Sequence, residues 1–425
     1  MDSLMHVAFN GYFWDQERTG SGQYLRHLWS ALNNTSSASS SHDAGRDSYT
    51  LLLPPGQGGD VPVTPGGRVA HGRALPVVGG RVGHLEKLYW EEIGVARLAK
   101  KRRADVLHVP YLSAPAPLPG LHSFPVVVTA HDMIPWVVPG YSGSAAVRLY
   151  LAVAAASVKR ADLILADSEA SRRDVIKVLR VSPKRVRTVY LGMEPHPTYT
   201  QNDLSEARAR LGLPENYAFY LGGFDARKNV PLLLRAWRVA LETLASEGGE
   251  RPTLVIGGAV PEPGGVFPDV LGEAARLGLD VPGGPVRFIG RVSEEDKALL
   301  MAAARLFVYP SAYEGFGLDP LEAMSVGCPV VSSSGGSLAE VVGDGGLLVA
   351  PNDEGALAEA VVRAWRSEQL RAVLSQRGRE RAKQFTWERT ARDTERLYRA
   401  VVAKWSRGYG THRRGAEGAE FRRGF

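Results

Sequence analysis

Leu306-Phe307-Val308-Tyr309-Pro310-Ser311-Ala312-Tyr313-Glu314-Gly315-Phe316-Gly317-Leu318-Asp319-Pro320-Leu321-Glu322-Ala323-Met324 opens as a short apolar run, turns through two glycines and closes as a helix start. Four aromatic and branched residues in a row read as a fully buried strand. Pro320 suits the first turn of a helix, where its missing N–H is not needed. The stretch is therefore one strand–turn–helix unit, with two glutamates eight positions apart. Gly315 and Gly317 let the backbone approach a ligand closely. A helix start presents free N–H groups to an anion, and a carboxylate beside it can accept the paired hydroxyls of a ribose.

The same unit recurs on either side. Apolar runs at Ala218–Leu221, Thr253–Ile256, Val286–Ile289, Pro329–Val331 and Leu347–Val349 alternate with helix-period segments, the first with apolar positions at 232, 233, 236, 237, 240, 241 and 244. Upstream, runs at Val7–Phe9, Val106–Pro110, Pro125–Thr129, Leu163–Ala166 and Val186–Tyr190 are separated by helices near 22–32, 85–102, 144–160 and 168–180. Such alternation argues for parallel sheets built from βαβ units. The fold class is α/β, with two Rossmann-like, doubly wound domains. Their expected extents are 1–195 and 202–385, joined by a linker containing Gly192, Pro195 and Pro197. Helices are expected at 355–384 and 387–406. The second forms a closing segment, 386–407, that packs back on the first domain, and a basic flexible tail follows at 408–425. The Ser-rich stretch 33–47 reads as loop, and the Gly/Pro-rich stretch 56–83 as short irregular strands and a mobile loop.

Composition narrows the classes. With 44% apolar and 23% charged residues, the chain can bury two cores. No run of about 18 apolar residues is present, so no membrane span is expected. The start reads as a first strand and not as a signal peptide. The single cysteine, Cys328, excludes an intramolecular disulfide and suits a reducing cytoplasm. A net charge of +6 fits phosphates, acidic membranes or nucleic acid, or simply arginines on solvated helices.

Five ordered segments carry a resemblance: Gly222-Gly223-Phe224-Asp225-Ala226-Arg227-Lys228-Asn229-Val230, Phe288-Ile289-Gly290-Arg291-Val292-Ser293-Glu294-Glu295, the stretch from Tyr313 to Met324, Gly327-Cys328-Pro329-Val330-Val331, and Ser337 to Gly346. Together with Phe385-Thr386-Trp387-Glu388-Arg389 they resemble retaining GT-B glycosyltransferases of family 4, whose mark is an E-x7-E element. The resemblance covers nearly the whole C-terminal half. It implies that Glu322 binds the donor ribose, and that Glu314, Gly315, Phe316 and Gly317 hold the donor sugar. It implies that Lys228 neutralises the leaving diphosphate, and that Ser337 and Leu338 touch it. It places Val292 at the base. The family usually carries an arginine five residues before the lysine, and this chain has Gly223 there. Arg227 or Arg291 is left to supply the second cation. In the first half, Gly20 and Gly22 resemble the Gly-rich loop at the donor phosphate. His131 matches the histidine beside the donor sugar, with Asp132 on the acceptor side.

The implied chemistry is transfer of a hexose, with GDP-mannose as donor by likeness to mannosyltransferases of bacterial O-antigen and capsule assembly, to a glycan or lipid-linked acceptor. Retention is implied, and neither a cofactor nor a metal is called for. A UDP-glucose or UDP-N-acetylglucosamine transferase, a sugar-nucleotide 2-epimerase and a basic nucleic-acid-binding protein are the alternatives, although no nucleic-acid module is recognised. The expected location is cytoplasmic, with peripheral contact to the inner face of the membrane through Lys100–Arg103 and Arg172-Arg173.

Overall fold

The computed structural model describes residues 4–420 apart from 18, 38–46, 63, 65, 73–82, 119–120, 122, 247–251 and 282. Most of the Ser-rich stretch and part of the Gly/Pro-rich one lie outside the described residues. Two parallel sheets carry the fold. The first contains β1 His6–Asn10, β2 Ser48–Leu53, β3 Gly67–His71, β4 Val106–Val109, β5 Val126–Ala130, β6 Leu163–Ala166 and β7 Val186–Thr188, in the order β3-β2-β1-β4-β5-β6-β7. The second contains β8 Tyr217–Leu221, β9 Thr253–Gly257, β10 Val286–Gly290, β11 Leu306–Tyr309, β12 Val330–Ser333 and β13 Gly346–Val349, in the order β10-β9-β8-β11-β12-β13. Both are doubly wound, and they face one cleft, the architecture implied by the resemblance.

The central strands are buried on both faces, which is why they read as continuous apolar runs. Each strand order reverses at one place, between β1 and β4 in the first sheet and between β8 and β11 in the second. At such a switch point the connecting helices leave to opposite faces, and a crevice opens beyond the carboxyl ends of the strands. The loops after β8 and β11 carry Arg227, Lys228 and Glu314.

Several expectations are corrected. The first helix runs Gly20–Ser37, so it consumes the start of the expected loop. β2 was not read as a strand, although all but its first residue are buried. The expected helix over 355–384 is two, Glu354–Arg366 and Glu368–Ala382, broken where the Ser367 side chain accepts from the Leu370 N–H. The closing helix runs Trp387–Glu420, beyond its expected end at 406.

That closing helix returns to the first sheet. The Tyr398 hydroxyl lies 2.6 Å from His108 Nδ1, and His108 Nε2 lies 2.8 Å from Thr129 Oγ1. Burial, with the charge of His131 nearby, pushes the His108 ring down to about 3, so it stays neutral between two hydroxyls. The linker is held just as closely: the Met193 N–H donates to the Phe385 carbonyl at 3.2 Å. A Cβ on Gly192 would stand 2.2 Å from the Trp387 backbone nitrogen. Gly192→Ala is therefore expected to destabilise by about 1–3 kcal/mol through overpacking, read as a lowered Tm. An unchanged Tm would show that this crossing is slack.

Among the described residues, no helix is long and apolar enough to cross a membrane.

Candidate active site

The cleft between the domains encloses about 650 Å3. From the second domain, Arg227 and Lys228 follow β8, Glu314 to Asp319 follow β11, and Glu322 stands one turn into the next helix. From the first domain, Gly20, Gln23 and Tyr24 come from the first helix, and His131 and Asp132 follow β5.

Glu314 is the electrostatic centre. Its Oε1 lies 2.8 Å from Lys228 Nζ, 2.7 Å from Ser311 Oγ and 3.0 Å from the Tyr309 hydroxyl. Its Oε2 lies 2.7 Å from Arg227 Nη1. Burial pushes this carboxyl up, but Lys228 and then Arg227 outweigh burial and hold it below the usual range. Both oxygens are thus engaged, and the carboxylate fixes the two cations side by side. Lys228 Nζ also donates to the Tyr309 hydroxyl and lies 3.7 Å from Asp319 Oδ2. The Arg227 Nε lies 3.2 Å from Asp225. Tyr141, from the first domain, donates to the same Asp225 and accepts the Arg227 backbone N–H at 3.0 Å. The turn that carries both cations is therefore gripped from across the cleft.

The domains touch at Gly315. Its carbonyl accepts from Ser168 Oγ at 2.7 Å and Ser171 Oγ at 2.9 Å. A Cβ there would stand 2.6 Å from the His131 carbonyl, so only glycine permits the approach. His131 itself sits between two acceptors, Asp167 Oδ2 at 2.8 Å from Nδ1 and the Pro110 carbonyl at 3.2 Å from Nε2. Burial pushes the ring down, but Asp167 outweighs it and the net shift is upward. Two acceptors and a raised pKa favour an imidazolium that donates from both nitrogens. Asp132 is pushed up by burial, against the Ile134 N–H that its Oδ1 accepts at 2.9 Å.

Glu322 faces the cleft beside Lys297, whose ammonium is 2.5 Å from Oε2 as an ion pair without hydrogen-bond alignment. Burial raises this carboxyl to about 7, with Lys297 opposing the shift.

The structure brings together His131, Asp132, Glu314, Gly315, Phe316, Gly317, Glu322, Arg227, Lys228 and Gly20. It does not bring Gly22, Arg291, Val292, Ser337 or Leu338 to the lining of this cleft. Arg291 is exposed. The Ser337 and Leu338 N–H groups donate to the carbonyls of Glu314 and Gly335, both at 3.1 Å, and the Ser337 hydroxyl to that of Phe316. These bonds shape the Glu314 loop from behind. The sequence reading missed Asp167, Lys297, Asp319, Tyr309 and Tyr141. Asp167 follows the apolar run Leu163–Ala166, and that place at a strand's carboxyl end was its one available signal. Among the described residues, no group of three or more His, Cys, Asp and Glu side chains is placed to hold a metal ion.

Comparison with known proteins agrees with this geometry. The sequence model of the family described as Glycosyl transferases group 1 matches residues 203–381, and that of Glycosyltransferase Family 4 matches 52–196. O-antigen chain mannosyltransferase B of Escherichia coli is 36% identical over 277 residues, covering 65% of this chain and 70% of that protein. A D-inositol 3-phosphate glycosyltransferase of a Nocardioides species is 38% identical over 259 residues, covering 58% of this chain; the chain spans 55% of that protein. A sucrose-phosphate synthase from Thermosynechococcus elongatus superposes with a TM-score of 0.69 over 94% of this chain and 100% of its own, at 24% identity, a likeness of fold.

Proposed function

The chain belongs to the group 1 glycosyl transferases, and we propose that it moves mannose from GDP-mannose to a hydroxyl of a glycan or lipid-linked acceptor, with retention of the anomeric configuration. The observation that carries the transfer reading is the pair Arg227 and Lys228, held side by side by Glu314 at the β8/β11 switch point. A diphosphate gains charge as it leaves, and fixed cations aimed at that charge lower the barrier more than they strengthen binding. Arg227 takes the part that Gly223 leaves open, because it lines the cleft beside Lys228 while Arg291 does not.

The other residues fall into place around that leaving group. Glu322 accepts the ribose hydroxyls as a carboxylate. The start of the helix Gly20–Ser37 adds the positive end of its dipole. The His131 imidazolium, with its two N–H groups held by Asp167 and the Pro110 carbonyl, sets its positive charge beside the sugar, and Asp132 stands on the acceptor side. Glu314 is no nucleophile in this reading, since both of its oxygens are already bound to cations and hydroxyls. The acceptor hydroxyl attacks on the face that the diphosphate leaves, and a phosphate oxygen takes its proton. These side chains neutralise the charge without calling on a metal or cofactor.

The mannosyl donor is favoured by the similarity to the O-antigen mannosyltransferase. UDP-glucose and UDP-N-acetylglucosamine are the competing donors; the epimerase and nucleic-acid readings give way to the transferase family. We place the protein on the cytoplasmic side, in peripheral contact with a membrane. The test is release of nucleoside diphosphate on incubation with each sugar nucleotide and a bacterial lipid-linked glycan pool. GDP release with an α-mannosyl product supports the reading. UDP release alone would overturn the donor assignment, and an inverted product would overturn retention.

A further inference from the structure

The helix Ala145–Val158 leaves an apolar stripe uncovered, with the exposed Arg148 at its edge. Leu151, Ser157 and Val158 turn inward and are buried. Outward, Leu149 is 67% exposed, Tyr150 58%, Val153 49% and Val147 42%. At 3.6 residues per turn, Ala145, Leu149, Ala152, Val153 and Ala156 fall in one stripe, with Tyr150 beside it. The helix contains no acidic residue. Scattered exposed apolar side chains are ordinary, but a contiguous apolar face rimmed by polar residues marks an interaction surface.

The end of the sheet toward which this helix runs is basic for a topological reason. In a parallel sheet, residues just before the strands share one end, and here that end lies opposite the cleft. Lys101, Arg102 and Arg103 precede β4, Lys159 precedes β6 and Lys184 precedes β7. All five are exposed. The helix is the crossover from β5 to β6, so it runs from the cleft end to this basic end. It packs on the same face of the sheet as Val95–Lys101 and Glu169–Leu179. Arg172, expected from sequence to meet lipid, instead donates to the Val186 carbonyl and pairs with Glu169.

We propose that this face seats the protein on an anionic bilayer, with Leu149, Tyr150 and Val153 in the headgroup–acyl boundary and the basic end against the headgroups. An amphipathic helix lying in the interface needs only such a shallow apolar stripe and nearby cations. A second copy of the chain fits less well. Fourteen residues make a stripe about 21 Å long and about 10 Å wide, on the order of 200 Å2, against about 800 Å2 per partner in a stable dimer. The placement also suits the chemistry. The chain from His131 passes Ile134, which lines the cleft, and Tyr141, which grips the cation turn, before entering this helix at Ser144. The apolar stripe therefore starts on the cleft side of the domain and runs toward the basic end.

This proposal rests on the membrane contact proposed above and names the surface that makes it. Its test is flotation of the full chain with phosphatidylcholine vesicles, with and without phosphatidylglycerol, alongside the thermal shift given by GDP. The wild type is expected to float only with the anionic vesicles, and less at high salt. Leu149→Glu with Val153→Glu is expected to lose about tenfold or more of the bound fraction while keeping the nucleotide shift. Leu149→Ser with Val153→Ser serves if the charged pair fails to fold. A wild type that stays unbound, or variants that float as the wild type does, would overturn the proposal. So would a wild-type dimer that these variants dissociate, which would assign the face to a second copy. Vesicle binding without any nucleotide shift would support this surface and count against the transferase chemistry instead.

Discussion

Lys228→Ala is expected to lower kcat by about a hundred- to a thousand-fold, the usual loss when one fixed donor at a developing charge is removed. The KM for the donor should change far less, because the diphosphate is already an anion when bound and gains its further charge only as the bond breaks. Lys228 is buried, held between Glu314, Asp319 and Tyr309, and so cannot turn away to water. Its removal leaves Glu314 with Arg227, Ser311 and Tyr309, and some loss of Tm is expected, since a buried carboxylate with one cation fewer is costly. Lys228→Arg separates the two effects. It keeps the charge and should restore Tm more fully than kcat, because a planar guanidinium does not reproduce a compact ammonium. Steady-state kinetics on both variants checks this. A Lys228→Ala protein that is folded and retains most of its kcat would remove the lysine from the chemistry.

Nucleotide affinity is expected to rise with pH through about 7 and to become flat in Glu322→Gln. The cause is the Glu322 carboxyl, raised to about 7 by burial against the pull of Lys297. A ribose diol donates two hydrogen bonds, and only the ionised carboxylate can accept both. The sign for stability runs the other way. The folded protein favours the neutral acid, so that contribution is fully present below the ordinary value of 4.5 and is lost as the pH rises through about 7. Between those values the ligand-free protein should therefore lose stability while its affinity for nucleotide grows. Calorimetric titration of GDP from pH 5.5 to 8.5 measures the first trend. An affinity indifferent to pH in the wild type would mean that Glu322 is not the ribose acceptor.

The C-terminal half was legible because its central strands are buried on both faces and its ligand loops follow them directly. Ala218–Leu221 and Leu306–Tyr309 read as strands from four residues each, and the site loops begin within a few positions of their ends. β3 was legible only as one of the short irregular strands expected over 56–83, without bounds: of its five residues only Ala70 is buried, so an edge strand inside a Gly/Pro-rich stretch carries no apolar signature. The pairings across strands were also hidden. His131 and Asp167 lie 36 positions apart and meet only because β5 and β6 are neighbours. Lys297 reaches Glu322 from the helix after β10, which no local pattern announces. The choice between Arg227 and Arg291 was open for the same reason. That Arg227 lines the cleft and Arg291 does not follows from which strand borders the switch point, a property of the sheet order and not of either arginine's neighbours in sequence. The turn at Ser337 and Leu338 shows the converse. Its local pattern suited a phosphate, and in the structure the Ser337 N–H and hydroxyl donate to the Glu314 loop while the Leu338 N–H donates to Gly335 in its own turn.

The most direct measurement is the thermal shift of the wild type and of Glu322→Ala with GDP, UDP, ADP and TDP. The account predicts a shift with GDP that the variant loses. Folded wild-type protein that shifts with none of the four, or a shift that survives in Glu322→Ala, would contradict it.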